Sequence, residues 1–353
     1  MTTYRDLVEG CEVVVCCGTG GVGKTTTAAA TAMAAAAMGR RAAVVTIDPA
    51  KRLADALGIS ELGNDPTVID GPWSGTLAAL MLDTKATFDD VVRHHATSDE
   101  QAETILANRF YKNISTSLSG TQDYMAVEKL AELHSSGDWD LVVVDTPPTR
   151  DALAFLEAPK LLTRLLDNTI YKILISPSQG VLRAVNRAAG SVVRQLSRVV
   201  GAEVVDDAIE FFQSFQGMEE GFRERADATL TLLGADATAF VLVASPRADT
   251  IVEAKYFLDR LGKADLDAAA VIVNRVLPAL SVDLSRAQQM AGSHPGGGTQ
   301  ALADHAAAAV GDDDRIADLL SSAPEATVVR VPLLPSDVHD IDTLHHIAKL
   351  LTD

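Results

Sequence analysis

The sequence predicts an α/β protein, a doubly wound and mostly parallel sheet carrying a helical subdomain. Three observations predict it. Short apolar runs recur at 13–17, 42–47, 77–82, 141–144, 239–244, 270–273 and 326–331, the continuous pattern of strands buried on both faces. Between the first two lies an Ala-rich helix former, 24–38, so strand, helix and strand follow one another and imply a right-handed crossover. From 159 to 234 the strand signal vanishes and long amphipathic patterns replace it. A core of 1–85, 118–158 and 236–353, with a helical part of 86–117 and 159–235, accommodates all three.

The first strand breaks into Gly18-Thr19-Gly20-Gly21-Val22-Gly23-Lys24-Thr25, a complete G-x-x-x-x-G-K-S/T between an apolar run and a helix. Glycines at 20, 21 and 23, with Val22 among them, let backbone N–H groups turn toward phosphate oxygens. The helix that starts beside Lys24, Thr25 and Thr26 faces its positive end to the same anion. Lys24 is expected on the outer phosphates and the Thr25 hydroxyl on magnesium. A Gly-rich turn that binds nothing is the weaker reading, because motif and context agree.

The second strand delivers Asp48-Pro49-Ala50 to the sheet edge, and a short helix over 51–58 stops at Gly58. Residues 59–75 read as loop, and 84–117 as polar and helical. The pairs His94-His95 and His345-His346 read as surface, since adjacent residues point to different sides of a helix. The run at 141–144 ends in Asp145, the expected magnesium-side carboxylate. In the helical region, Val181, Val185, Ala189, Val192, Leu196 and Val199 form one stripe, and Ala208, Phe211, Phe212, Phe215, Met218 and Phe222 form another. Both read mainly as packing faces, with part of one left open as a groove for a partner or client. His294-Pro295-Gly296-Gly297-Gly298 reads as a loop without regular structure, and 338–351 as a closing helix.

Bulk properties exclude several classes. Of 353 residues, 30 are Lys or Arg and 48 Asp or Glu, a formal charge of −18, so nucleic acid is not an expected partner. The three cysteines, Cys11, Cys16 and Cys17, crowd the first strand and read as small buried hydrophobes. The first residues lack the plan of a signal peptide, and no apolar run approaches the length of a membrane span. The expectation is a cytoplasmic protein without stable membrane insertion, peripheral at a membrane only through partners.

GTGGVGKT at 18–25, Thr46-Ile47-Asp48-Pro49-Ala50 with Leu53-Ala54-Asp55-Ala56, and Asp145-Thr146-Pro147-Pro148-Thr149 resemble a phosphate loop and two switches. They are those of the arsenite-pump and tail-anchored-protein targeting ATPase family. That family belongs to the deviant-Walker-A dimeric P-loop ATPases, with the septum-site and partition ATPases. Further similarity lies in GTQDYMAVEKLAEL at 120–133, in Val271-Ile272-Val273-Asn274 and in Val331-Pro332-Leu333-Leu334-Pro335. The resemblance implies ATP and Mg2+ as cofactors. It implies Asp48 as the residue that orients the attacking water, Asn274 as the reader of adenine, and Pro332 and Leu333 as lining of the base pocket. It further implies a chaperone-like dimeric switch that couples ATP state to an apolar protein client or a related partner subunit. The alternatives are an anion- or metalloid-transport ATPase subunit, or a nucleotide-binding regulatory subunit with little turnover.

The departures are informative. The residue after the first loop glycine is a signature lysine in the resembled family and is Thr19 here. A neutral hydroxyl does not replace a cation at developing charge. This favours a heterodimer, in which a related ATPase subunit supplies the lysine, over a weakly active homodimer. Arg150-Asp151 stands where the family has Gly-His, and Arg150 is either a substitute cation or a surface residue. Residues 281–290 lack the cysteine pair that holds zinc in the targeting branch, so no structural zinc is expected.

Overall fold

The computed structural model describes residues 2–48, 50–117, 121–147, 202–278, 280–294 and 296–353, with Glu157, Ala158, Lys160, Arg164 and Asp167. The stripe from Val181 to Val199 lies outside the described residues, as do Pro49, Pro148, Thr149, Arg150 and Asp151. Two compact units emerge, one of Met1–Met81, Glu132–Leu153 and Gly234–Asp353, the other of Leu82–Ala131 and Ala154–Leu233.

In the first unit, strands β1 (Val13–Gly18), β2 (Arg41–Thr46), β3 (Thr67–Ile69), β4 (Thr76–Met81), β5 (Leu141–Asp145), β6 (Thr238–Ala244), β7 (Ala268–Val276) and β8 (Thr327–Pro332) form one sheet. Their order is β3-β4-β2-β5-β1-β6-β7-β8. Every pairing is parallel except β3 with β4. The residues expected to be loop at 59–75 therefore hold a strand. β3 is a three-residue edge hairpin partner whose Thr67 and Val68 are exposed, so it lacks the apolar run that marks the buried strands.

Helices α1 (Tyr4–Gly10), α2 (Lys24–Ala37), α3 (Arg52–Ala56) and α13 (Ile341–Thr352) share one apolar cluster with one side of the sheet. Helix α10 (Ala248–Lys263) packs on β6 and β1, and α12 (Gly297–Leu320) on β7; neither belongs to that cluster, so they cover the opposite side. Helix α2 is buried along almost its whole length because Ala and Thr are small enough to let it lie against β1, β2 and β5. Helix α1 starts at a Thr3/Asp6 capping box, a local signal legible in the sequence and overlooked there.

Gly297 and Gly298 correct the expected loop at 294–298. They open α12, which follows α11 (Leu284–Ser293) after a short connection. A glycine inside a helix costs about 1 kcal/mol relative to alanine. The long helix, held by buried Ala303, Ala306, Ile316 and Leu319, offsets it.

The second unit holds α4 (Thr84–His95), α5 (Asp99–Ala107), α6 (Arg109–Ser117), most of α7 (Thr121–Ser135), α8 (Ala202–Ser214) and α9 (Glu219–Leu233). The expected core segment 118–158 is thus divided, since α7 begins in this unit and ends in the first. Phe211, Phe215, Met218 and Phe222 are all buried. The three phenylalanine rings form a continuous stack, Phe211 to Phe215 at 4.8 Å and Phe215 to Phe222 at 5.4 Å, with Tyr111 and His95 at its ends. These four side chains are interior packing, so no client groove opens along them, while Ala208 and Phe212 of the same stripe are half-buried. His95 departs from the surface expectation as well: it is half-buried against Phe222, and burial pushes its pKa down to about 4.

Candidate nucleotide site

Parallel strands deliver their carboxyl ends to one edge of the sheet, which gathers β1, β2, β5, β7 and β8 around a single cleft. The cleft encloses about 460 Å³. Gly21, Gly23, Lys24, Thr25, Thr26, Asp48, Asn274, Pro332 and Leu333 all line it. Of the other sequence candidates, Gly20 is exposed on the loop, Val22 is buried beneath it, and Asp145 sits behind Thr25.

The loop backbone is specific to its residues. Gly18 has φ +146°, and a Cβ there would stand 2.2 Å from the Val243 carbonyl oxygen of the neighbouring strand. Gly23 caps α2 with φ +100° and no side-chain cap bond, so the first-turn amides keep their donors free for a ligand. Lys24 is buried, and its ammonium donates to the Thr19 carbonyl at 2.8 Å. Burial lowers the Lys24 pKa and the neighbouring Asp145 opposes that shift.

Behind the loop, Asp145 Oδ2 accepts from the Thr25 and Thr46 hydroxyls, each at 2.8 Å. Oδ1 is buried with no hydrogen-bond partner among the described residues. Desolvation raises this carboxyl to about 6, against the pull of its two hydroxyl donors. Thr46, which earned no role from its position in the sequence, orients Asp145, and its Oγ1 also accepts from the Asp48 amide at 3.3 Å. Asp48 itself is fixed by the Ala50 amide, which donates to Oδ1 at 3.0 Å.

Asn274 takes a second role that the sequence did not reveal. Its Nδ2 donates to the Val22 carbonyl at 2.8 Å, and a Cβ on Gly23 would stand 2.3 Å from that nitrogen. The Asn274 side chain therefore braces the phosphate loop. β7 is irregular here, Arg275 adopts φ +62°, and its amide donates to Asn274 Oδ1. One Nδ2 hydrogen and one Oδ1 lone pair remain for a base edge. The cleft also recruits Arg52, Arg275, Ser336 and Asp337, which carry no motif of their own, together with Asp55 and Thr146 from the two switch-like segments.

Comparisons with known proteins cover most of the chain. A family model described as anion-transporting ATPase matches residues 11–293. The chain belongs to that family. It is similar to the ATPase get3 of Aspergillus terreus, 26% identical over 264 residues, which cover 74% of this chain and 72% of the relative. It is 24% identical to ATPase GET3 of Phaeosphaeria nodorum, over 74% of this chain and 75% of that one. It is also 23% identical to ATPase get3 of Schizosaccharomyces japonicus, over 74% and 73%. The family member described here is an ATPase, and ATP is its nucleotide.

The oxygen donors suit a hard divalent cation. A hydroxyl at Thr25 and an unpartnered buried carboxylate oxygen at Asp145 are what Mg2+ prefers. Among the described residues, no group of three or more His, Cys, Asp or Glu side chains could hold a metal ion by themselves. Cys16 and Cys17 are buried in β1 and Cys11 is half-buried, and burial raises all three thiols. Among the described residues no helix is long and apolar enough to cross a membrane.

Proposed function

We propose that this cleft holds ATP with Mg2+ and that hydrolysis drives a dimeric switch. The observation that carries the reading is Asp145 Oδ1, without a partner among the described residues while Thr25 and Thr46 hold Oδ2, directly behind an uncapped helix start. Lys24 and the amides of Gly20, Gly21, Val22, Gly23, Thr25 and Thr26 bind the phosphates. Thr25 and Asp145 hold the cation, which when bound neutralises charge on the phosphate oxygens. Asp48 orients the attacking water, and Asn274, Pro332 and Leu333 receive the adenine. Little covalent work falls to the protein beyond positioning.

Partner and client belong to the same proposal. Thr19 places no cation at the signature position, which supports a heterodimer with a related ATPase subunit over a homodimer. The resemblance to tail-anchored targeting ATPases supports an apolar protein client in the cytoplasm. With the phenylalanine stripe interior, residues other than Phe211, Phe215, Met218 and Phe222 must supply the client surface. The buried thiols lend no support to a metalloid-activated transport subunit.

Two measurements test this. Lys24→Ala should weaken ATP binding by at least about a hundredfold, the scale of a lost pair of charge-assisted hydrogen bonds. Asp48→Asn should bind ATP like the parent and turn it over at least about a hundredfold more slowly. Unchanged turnover in Asp48→Asn moves water positioning elsewhere. Brisk hydrolysis by the purified chain as a dimer of itself, weighed by sedimentation, removes the case for a second subunit.

A further inference from the structure

Six charged side chains line the cleft, Lys24, Arg52 and Arg275 against Asp48, Asp55 and Asp337. Their partners differ. Lys24 is tied to the Thr19 carbonyl, Asp48 accepts from the Ala50 amide, and Arg275 stands beside Asn274 at the end of β7. Arg52 opens α3, where Leu53, Ala54 and Ala56 are buried. Those anchors fix the helix so that Arg52 and Asp55 occupy its open face. Arg52 is exposed and forms no hydrogen bond or ion pair with any described residue. Asp55, one turn along, stays beyond ion-pair distance.

Arg52 lines the same cleft as Lys24 and has no counter-ion of its own among the described residues, so its charge is available to an anion that enters there. The Thr19 hydroxyl, the neutral group at the signature position, is itself buried without a partner and adds no charge.

We propose that Arg52 is a phosphate ligand contributed by the chain itself, which supplies the triphosphate with the positive charge that Thr19 lacks. The proposal rests on the reading of the cleft as the ATP site. Arg52 would reach the phosphates from the side of Asp48, opposite the loop, so the chain itself supplies charge for ATP binding, and a partner subunit's lysine would bear on turnover rather than on binding. Its planar fork suits two phosphate oxygens at once, which a lysine does not match.

Isothermal titration of the full chain with ATP and Mg2+ tests it. Arg52→Ala is expected to weaken ATP binding about tenfold or more, Arg52→Lys by less, and Thr19→Lys added to Arg52→Ala to restore most of the loss. Arg52 is exposed, so its replacement leaves the fold intact, and an unchanged melting temperature checks this. If the parent binds ATP and Arg52→Ala binds it equally well, Arg52 is not a phosphate ligand and the cleft reading survives. If the parent binds no ATP, both fail. A loss that Thr19→Lys does not repair overturns the compensation.

Discussion

Two buried carboxylates, one in each unit, separate a site from a scaffold. Asp145 at the end of β5 and Glu128 in α7 are almost completely inaccessible. Glu128 spends both oxygens inside the protein: the Tyr124 hydroxyl donates to Oε1 and Arg225 Nε to Oε2, each at 2.5 Å. Among the described residues Asp145 spends only Oδ2, on two threonines, and its Oδ1 has no partner. A desolvated oxygen without a donor is costly, on the order of 1–3 kcal/mol, and is retained where a ligand repays it. Burial alone therefore does not mark function; the open valence does.

Replacing Asp145 by Asn sharpens the contrast most. Turnover should fall about a thousandfold, the scale of losing a preorganised charge at the reacting centre, while melting temperature holds or rises. Because the folded carboxyl titrates near 6, above its unfolded value, its protonated form is the favoured one in the fold. Its stabilising contribution is complete below about pH 4 and is lost as pH rises through about 6. Melting of the magnesium-free parent should show that loss and the Asp145→Asn variant should not. A variant that keeps its ATPase rate ends the distinction between the two carboxylates.

In the helical unit the large effects should fall on stability. Phe222→Ala empties the end of the aromatic stack and should cost about 3–5 kcal/mol, read by denaturant titration. A cost under 1 kcal/mol would mean the stack is less tightly packed than its ring distances imply. Glu128→Gln leaves the Arg225 guanidinium, about a quarter exposed, without its counter-charge and should cost about 2–3 kcal/mol with ATP affinity unchanged. Weaker ATP binding in that variant would make Glu128 more than scaffold.

The smallest effect sits at the sheet edge. Arg41 starts β2 with its amide and guanidinium on Asp140, and these donors hold that carboxyl down to about 2. A depressed carboxyl stabilises above its unfolded value, so this contribution disappears as pH falls from about 4 to about 2. The pair is largely exposed, and Asp140→Asn should cost less than about 1 kcal/mol at neutral pH. A larger loss would show that the pair sets the β2 register.

Residues whose chemistry is set by their immediate neighbours were legible in the chain. The spacing of Gly18, Gly23, Lys24 and Thr25 encodes a loop between a strand and a helix, and apolar runs ending in Asp48, Asp145 and Asn274 encode strands that stop at the ligand edge. Glycines at 297 and 298 misled because local cost was outweighed by the length of helix behind them. The phenylalanine spacing reads as one helix face, but the stripe runs over two helices, with Phe215 and Met218 in the connection between α8 and α9, and period says nothing of such a break or of what covers the side chains.

The sequence by itself determined the sheet, the phosphate loop and the family, since these depend on short-range patterns and ordered motifs. Only the tertiary structure decided that Thr46 orients Asp145, that Asn274 braces Val22, that Arg52 and Lys24 line one cleft, and that Phe211, Phe215, Met218 and Phe222 are interior. Those facts join residues tens to hundreds of positions apart. Strand order brings them together, and no local periodicity carries that information.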